Sequence, residues 1–191
     1  MNRPTQNLCA DHELVAAGLQ VLRNIAAEVQ AGADLPVADT ALAVRFLRDF
    51  VVGVHLCKEA EAMWPAVAMR GTEHCARLVG ELLRLQDEVT TLTHSLVLFW
   101  EPLGKLSEEE RTGFVETVEA VTQRLERMRS IEEEELFPSC DAAVPADDQL
   151  DWVRRFAEIE HERGSRRQWA DRLRPLIQRR VDALLAKYDA V

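Results

Sequence analysis

The sequence predicts an all-α protein, an up-down-up-down four-helix bundle with an additional C-terminal helix. Apolar residues recur at three- and four-residue spacing through almost the whole chain, as in amphipathic helices. The 191 residues include only eight glycines and one tyrosine. Links between the helical stretches are short, so consecutive helices should be antiparallel neighbours. A chain of this length can bury a substantial core, and we expect one domain over residues 1–191.

Five segments carry the helical pattern: about residues 11–31, 37–69, 72–101, 107–137 and 147–188. Asp11 is a plausible N-cap for the first helix, because a short polar side chain can accept a bond from the first free backbone N–H groups. Gly71 separates the second helix from the third. The third helix is expected to stop at Pro102 and Gly104.

The fourth helix begins with a capping box, in which Ser107 and Glu110 satisfy each other's backbone N–H groups. We expect this helix to end at Pro138, followed by a loop over 141–145. The fifth helix is expected to bend or break at Pro175, because proline removes a helical hydrogen bond.

Composition and charge limit the classes of function. A net charge of −10 argues against a general nucleic-acid binder. We find no apolar run typical of a signal peptide or of a membrane span, so we expect a cytoplasmic protein without membrane partners. The cysteines lack CxxC spacing and are expected to be reduced thiols: Cys9, Cys57, Cys75 and Cys140.

A repeated segment is the most informative feature of the chain. Eleven residues starting at His55 read HLCKEAEAMWP, and eleven starting at Met128 read MRSIEEEELFP. When the two are aligned, Glu59 matches Glu132, and His55 matches Met128. Residues i and i+4 lie on one face of a helix, so His55 and Glu59 can both face one metal ion. The second copy keeps only the carboxylate.

Helical rotation predicts that Glu132 points into the bundle. At about 100° per residue, its direction coincides with the most apolar stripe of the fourth helix. That stripe contains Phe114, Val118, Val121, Leu125, Met128 and Leu136. Glu133 and Glu134 turn away from it and are expected to be solvated. A buried, ionised carboxylate needs a partner, a proton or a metal ion.

The same geometry directs one polar group inward from each of the other bundle helices. His12 lies on the apolar stripe of the first helix, and His55 lies on that of the second, with Glu59 close by. In the third helix the central position is Gln86, whereas His94 lies about 80° away. His94 would join the site only if that helix changed register.

His12, His55, Glu59 and Glu132 are therefore the candidate metal ligands. Two imidazoles and two carboxylates suit iron, manganese or zinc. The alternative is a buried polar cluster whose members satisfy one another by hydrogen bonding. We assign no catalytic residue. His74 and His161 are expected on the surface. The tryptophans are expected to be packing residues: Trp64, Trp100, Trp152 and Trp169.

The chain resembles the hemerythrin-like (HHE cation-binding) family over residues 11–138. The resemblance is carried by three short motifs: Asp11-His12, Met63-Trp64-Pro65 and Leu136-Phe137-Pro138. It implies a bundle with a di-iron site, where one iron takes histidines from helices one and two and the other from helices three and four. The carboxylates of two HxxxE motifs would bridge them. Members of the family bind or sense dioxygen, handle nitric oxide or peroxide, or donate iron to damaged iron–sulfur proteins.

Two positions depart from that pattern, and both affect the same iron. Gln86 lies about where the third helix should carry its histidine, and Met128 occupies the position of the fourth-helix histidine. A thioether is a poor ligand for iron at an oxygen-rich site. We therefore predict a mononuclear or strongly asymmetric centre.

The leading hypothesis is a non-haem iron protein that senses small molecules or handles iron. The small molecules are dioxygen, nitric oxide or peroxide. One alternative is a di-iron oxidoreductase acting on peroxide or nitric oxide; another is a metal-free interaction bundle. The arginine-rich stretch 163–180 is usually a solvated face that balances acidic neighbours, such as Glu132 to Glu135. It could instead bind an acidic protein partner or a second copy of the chain.

Overall fold

The computed structural model describes residues 3–98 and 105–188, and this part of the chain forms six helices. They are α1 (Pro4–Gln30), α2 (37–70), α3 (Glu73–Leu98), α4 (108–143), α5 (Ala146–Arg163) and α6 (Arg166–Tyr188). No strand occurs in these residues, so the all-α prediction is confirmed. The predicted end of the third helix near Trp100, with Pro102 and Gly104, lies outside the described residues.

The first four helices form the bundle. α1 packs against α2 and α4, and α3 also packs against α2 and α4, so consecutive helices are neighbours as predicted. The core between them contains fully buried aromatic rings, including Phe46, Phe50 and Phe114. α1 and α2 approach closely at Gly18, where a Cβ atom would overlap the Phe46 ring. Trp64, Trp152 and Trp169 are packing residues, as expected.

α1 begins earlier than predicted. It starts at Pro4, whose missing N–H is not needed in the first turn. The backbone N–H of Arg3 donates a hydrogen bond to the side-chain oxygen of Gln6. The prediction of Asp11 as N-cap is wrong, because Asp11 lies within the helix and is fully buried. An aspartate can act as a helix N-cap or as a partner in a buried ion pair, and only the packing of the surrounding helices distinguishes the two roles.

α2 and α4 each contain π-helical turns at the repeated segment. In α2 the π-helical parts are Leu47–His55 and Lys58–Met63, and in α4 the part is Glu132–Leu136. Hydrogen bonds from i to i+5 widen these turns, and π-turns are frequent at functional sites. Each repeat thus ends in a π-turn followed by a short α-helical segment with proline in its first turn. The two copies are alike in backbone as well as in sequence.

The proline after the second π-turn does not end α4. The prediction that this helix stops at Pro138 is wrong, because the segment Phe137–Ala143 continues it. Proline is tolerated there since it occupies the first turn of a new α-helical segment, where its N–H is not required. The predicted loop over 141–145 is therefore only Val144 and Pro145.

The predicted fifth helix is two helices. The break falls at Gly164, whose φ of +105° is a conformation that glycine adopts at little cost. Of the predicted bend or break at Pro175, the break is wrong, because α6 runs through that residue. α5 and α6 pack on α1 and α2, so they cover one face of the bundle. In the residues described, no helix has the length and apolar character needed to cross a membrane.

Candidate metal centre

The four candidate ligands converge inside the bundle. His12 comes from α1, His55 and Glu59 from α2, and Glu132 from α4. One ligand atom of each lies within 4.8 Å of the others. Their exposed fractions are 4%, 2%, 0% and 0%, respectively, so the inward orientation inferred from helical rotation is confirmed.

The inward-facing atoms of His12, Glu59 and Glu132 lack hydrogen-bond partners among the described residues. Nε2 of His12 lies 2.9 Å from Oε2 of Glu132, but neither atom makes a hydrogen bond of acceptable geometry with any described residue. Oε1 of Glu59 is also unpaired and lies 3.3 Å from Nε2 of His55. Buried polar atoms without partners are costly. A cation placed between such atoms would stabilise them by coordination. Two imidazoles and two carboxylates are a ligand set that fits a transition-metal ion.

Burial shifts the pKa values of these groups strongly. It raises the pKa of Glu59 well above its usual range, and the neighbouring Glu132 raises it further. Burial, with the charge of Glu133, likewise raises the pKa of Glu132. For His55, burial lowers the pKa to about 4, so its imidazole is neutral at pH 7. A neutral imidazole is the form that binds a metal, and a bound cation would favour the ionised carboxylates.

Each histidine has a carboxylate on the nitrogen that faces away from the cluster. Nδ1 of His12 lies 2.7 Å from Oε1 of Glu133. Nδ1 of His55 lies 3.6 Å from Oδ2 of Asp11. The bond at Nδ1 of His12 fixes the tautomer that leaves its Nε2 free, as is usual around metal-binding histidines. Asp11 lies just beyond hydrogen-bond distance of His55, so its effect on that imidazole is electrostatic. The prediction that Glu133 is solvated is wrong, because its side chain is half-buried. The π-helical turn Glu132–Leu136 alters the rotation per residue, so an ideal α-helix gives the wrong direction for this side chain.

A buried ion-pair network stands behind His55. Nζ of Lys58 donates to Asp11 at 2.7 Å, to Glu160 of α5 at 2.6 Å and to Asn7 at 2.9 Å. Arg166 of α6 donates to the other Asp11 oxygen at 2.9 Å. Burial would raise the pKa of Asp11, but the neighbouring His55 and Lys58 lower it to about 2. Asp11 is therefore ionised at pH 7. Sequence reasoning missed this network.

The two departures from the family pattern lie beside the cluster. Gln86 is 6% exposed, and its Nε2 donates to Oε2 of Glu59 at 2.8 Å. Met128 is 2% exposed and lines a cavity of about 180 Å³ between α1 and α4. His94 is exposed and is not one of the converging groups.

A second group of potential ligands shares one histidine with the first. Atoms of Cys9, His12 and Glu133 lie within 4.8 Å of one another. Because Nδ1 of His12 is already bonded to Glu133, these residues form the surroundings of His12 on the outer side of the cluster. Cys9 precedes His12 by one helical turn, a signal that sequence reasoning did not use. All four cysteines are free, as predicted.

The structure also shows the exposure of the remaining predicted surface histidines and the ion pairs of the arginine-rich stretch. His74 and His161 are exposed, as predicted. The arginines of 163–180 pair mainly with acidic residues of α1 and α2, rather than with the acidic run starting at Glu132. The pairs are Arg163–Glu61, Arg166–Asp11, Arg179–Asp39 and Arg180–Glu28.

An α-helical bundle with buried histidines and carboxylates at one point defines a class of metal-binding four-helix proteins. The family model described as hemerythrin HHE cation binding domain matches residues 3–140, more than two thirds of the chain. The protein therefore belongs to the hemerythrin HHE cation-binding family, and non-haem metal binding is the property that this family shares. Comparisons with curated proteins and with solved structures gave no match. The matched region contains the bundle and ends within α4, so α5 and α6 are additions to it.

Proposed function

We propose that this protein binds a single non-haem iron ion through His12, His55, Glu59 and Glu132, and that it senses small molecules or handles iron. The observation that carries the proposal is the convergence of four buried side chains, three of which (His12, Glu59 and Glu132) present unpaired atoms to the cluster. Two carboxylates balance the charge of a divalent ion, which offsets the cost of burying them. The mixed nitrogen and oxygen donors also accept zinc or manganese.

One ion is favoured over two by the residues on the far side of Glu59. The amide of Gln86 donates to Oε2 of Glu59, so this oxygen is bonded to an N–H where a second ion would need it free. Met128 supplies a thioether where the family pattern has an imidazole, and thioethers bind iron weakly at oxygen-rich sites. Glu59 is thereby oriented so that Oε1 alone faces the cluster.

A bound iron ion would supply an open coordination position at which dioxygen, nitric oxide or peroxide can bind. The protein residues contribute orientation and access. Glu133 holds the imidazole of His12 with Nε2 inward, and the charge of Asp11 lies beside Nδ1 of His55. The cavity beside Met128 leads to the cluster from between α1 and α4. These features suit a response to small molecules.

The test is metal content of protein purified from iron-supplemented medium. We expect about one iron per chain for the wild type and near-complete loss for His55→Ala, because a ligand is removed. His161→Ala removes an exposed histidine and is the matched control, with unchanged metal content. X-ray absorption at the iron edge should show nitrogen and oxygen neighbours, without the short iron–iron distance of a paired site.

Two other results would contradict the proposal. About two irons per chain would support a di-iron oxidoreductase acting on peroxide or nitric oxide. Absence of metal, with a melting temperature insensitive to chelators, would support a metal-free interaction bundle. In that case α6, with its exposed arginines, is the surface to test for an acidic partner or a second copy of the chain.

A further inference from the structure

The cavity between α1 and α4 has an apolar wall and a polar inner end. Its volume is about 180 Å³. The inner end is formed by His12, His55 and Glu132. The wall consists mainly of Val15, Leu19, Leu125 and Met128. These four residues are at most 6% exposed, so the wall is part of the core rather than a surface depression.

The size of this cavity is sufficient for a six-membered ring as well as for smaller molecules. A cavity of about 150 Å³ lined by aliphatic and aromatic side chains is known to hold benzene in another protein. The present cavity is slightly larger, so it can accept one six-membered ring with a single substituent. Met128 suits such a guest, because a thioether makes favourable contacts with aromatic rings.

The inner end selects a neutral hydroxyl. Both carboxylate oxygens of Glu132 are buried and have no hydrogen-bond partner, so one oxygen can bind the proposed ion while the other accepts a hydrogen bond. Glu59 and Glu132 already balance the charge of a divalent ion, and an anionic guest would leave uncompensated charge in the core. A hydroxyl donates to a carboxylate and adds no charge.

The mouth of the cavity gives no preference for an anion. Arg23 is paired with Glu126 at 2.9 Å, and Arg129 is paired with Glu13 and Glu133. Both guanidinium groups at the mouth are therefore compensated by carboxylates.

We propose that this cavity binds small aromatic alcohols of the phenol class, with the ring between Leu19 and Met128 and the hydroxyl directed at Glu132. The inference deepens the proposed function, on which it rests for the ion that shares the inner end. It names a ligand class for the cavity that Met128 lines, the side on which the family pattern has an imidazole.

Equilibrium dialysis with phenol, toluene and benzoate tests the proposal, with metal content measured on the same sample. Toluene has nearly the shape of phenol but no hydroxyl, and benzoate carries a charge. We expect saturable binding of phenol, roughly tenfold or more tighter than of toluene, as one hydrogen bond to a charged group allows. Benzoate should bind no better than toluene. Equal affinities for phenol and toluene, or tightest binding of benzoate, would overturn the proposal.

A pair of matched variants tests the location. Ala16 is exposed at the mouth of this cavity, and Ala27 is exposed on the same helix beside a separate cavity. Ala16→Phe should weaken phenol binding about tenfold by covering the mouth, whereas Ala27→Phe should leave it unchanged. Both should keep the metal content and the melting temperature of the wild type. Equal effects of the two variants, or none from Ala16→Phe, would overturn the assignment.

Metal content separates the two hypotheses. Metal-loaded protein that does not bind phenol contradicts this inference and leaves the proposed function intact. Phenol binding by protein that takes up no metal supports the inference and contradicts the proposed function.

Discussion

Lys58 and Asp11 form an ion pair in which both side chains are fully buried, with Nζ 2.7 Å from Oδ2. Asp11 also faces Nδ1 of His55, a proposed metal ligand, and forms a second ion pair with Arg166 of α6. The pair thus joins the cluster of candidate ligands to the two helices beyond the matched family region.

Lys58→Met should lower the free energy of unfolding by about 3–5 kcal/mol, because it leaves Asp11 with less compensation for its buried charge. Chemical denaturation monitored by circular dichroism measures the loss. Arg127→Met is the control, since Arg127 pairs with Glu81 on the surface and such pairs contribute at most about 1 kcal/mol. A loss for Lys58→Met as small as that of the control would contradict the assigned role.

Asp11→Asn should weaken metal binding about 10–100-fold, because it removes the negative charge beside Nδ1 of His55 and disturbs the buried network that supports this ligand. Competition with a chelator of known affinity measures the change. Asp87→Asn alters an exposed aspartate of α3 and should have no effect. If both variants bind metal like the wild type, Asp11 does not position the ligand.

The stability of metal-free protein should depend on pH through Glu132. Burial raises the pKa of Glu132 above that of the unfolded chain, so the folded state favours the protonated form. Below its ordinary pKa of about 4.5 the carboxyl is protonated in both states, so its ionisation does not reduce the free energy of unfolding. The free energy of unfolding falls as pH rises from there towards the folded-state pKa. Glu132→Gln removes this dependence.

The measurement is urea denaturation of both proteins in chelator between pH 5 and pH 8. The difference in unfolding free energy should shift in favour of Glu132→Gln as pH rises, by at most about 1.4 kcal/mol per pH unit. Comparing the two proteins removes the opposite contribution of His55, whose lowered pKa makes stability fall as pH decreases from about 6.5 to about 4. Glu134→Gln, in an exposed neighbour, should follow the wild-type curve. Parallel curves for all three proteins would exclude a buried, ionising Glu132.

Gln86→His combined with Met128→His should raise the metal content from about one ion per chain to about two. The double variant restores the two imidazoles that the family pattern places on the second ion and removes the amide donor from Glu59. Each single variant should remain near one ion, because one histidine and shared carboxylates leave the second position short of ligands. A double variant that still binds one ion would show that other residues exclude the second.

The four ligand candidates could be found from sequence because their directions depend on local geometry. A spacing of four residues places His55 and Glu59 on one helical face, and an apolar stripe shows which face is buried. The rotation argument was correct for Glu132, which begins a π-turn. It failed for Glu133, one residue into the wider turn, where an ideal helix is no longer a good approximation.

The network behind His55 could not be found in this way. Lys58 is 47 residues from Asp11 in sequence, and Arg166 is 155 residues from it. A lysine next to a candidate ligand usually faces solvent. Its burial here depends on α5 and α6 covering α2, and no local pattern encodes that packing.

Local residue patterns were sufficient to predict the helical class, the repeated segment and the four candidate ligands, because helical periodicity is a property of neighbouring residues. The packing of the helices established that Asp11 is an internal ion-pair partner rather than a helix cap. It also decided that Gln86 holds Glu59 and that Met128 borders a cavity. These outcomes depend on distances between separate helices, which are set by the packing of whole side chains in the core.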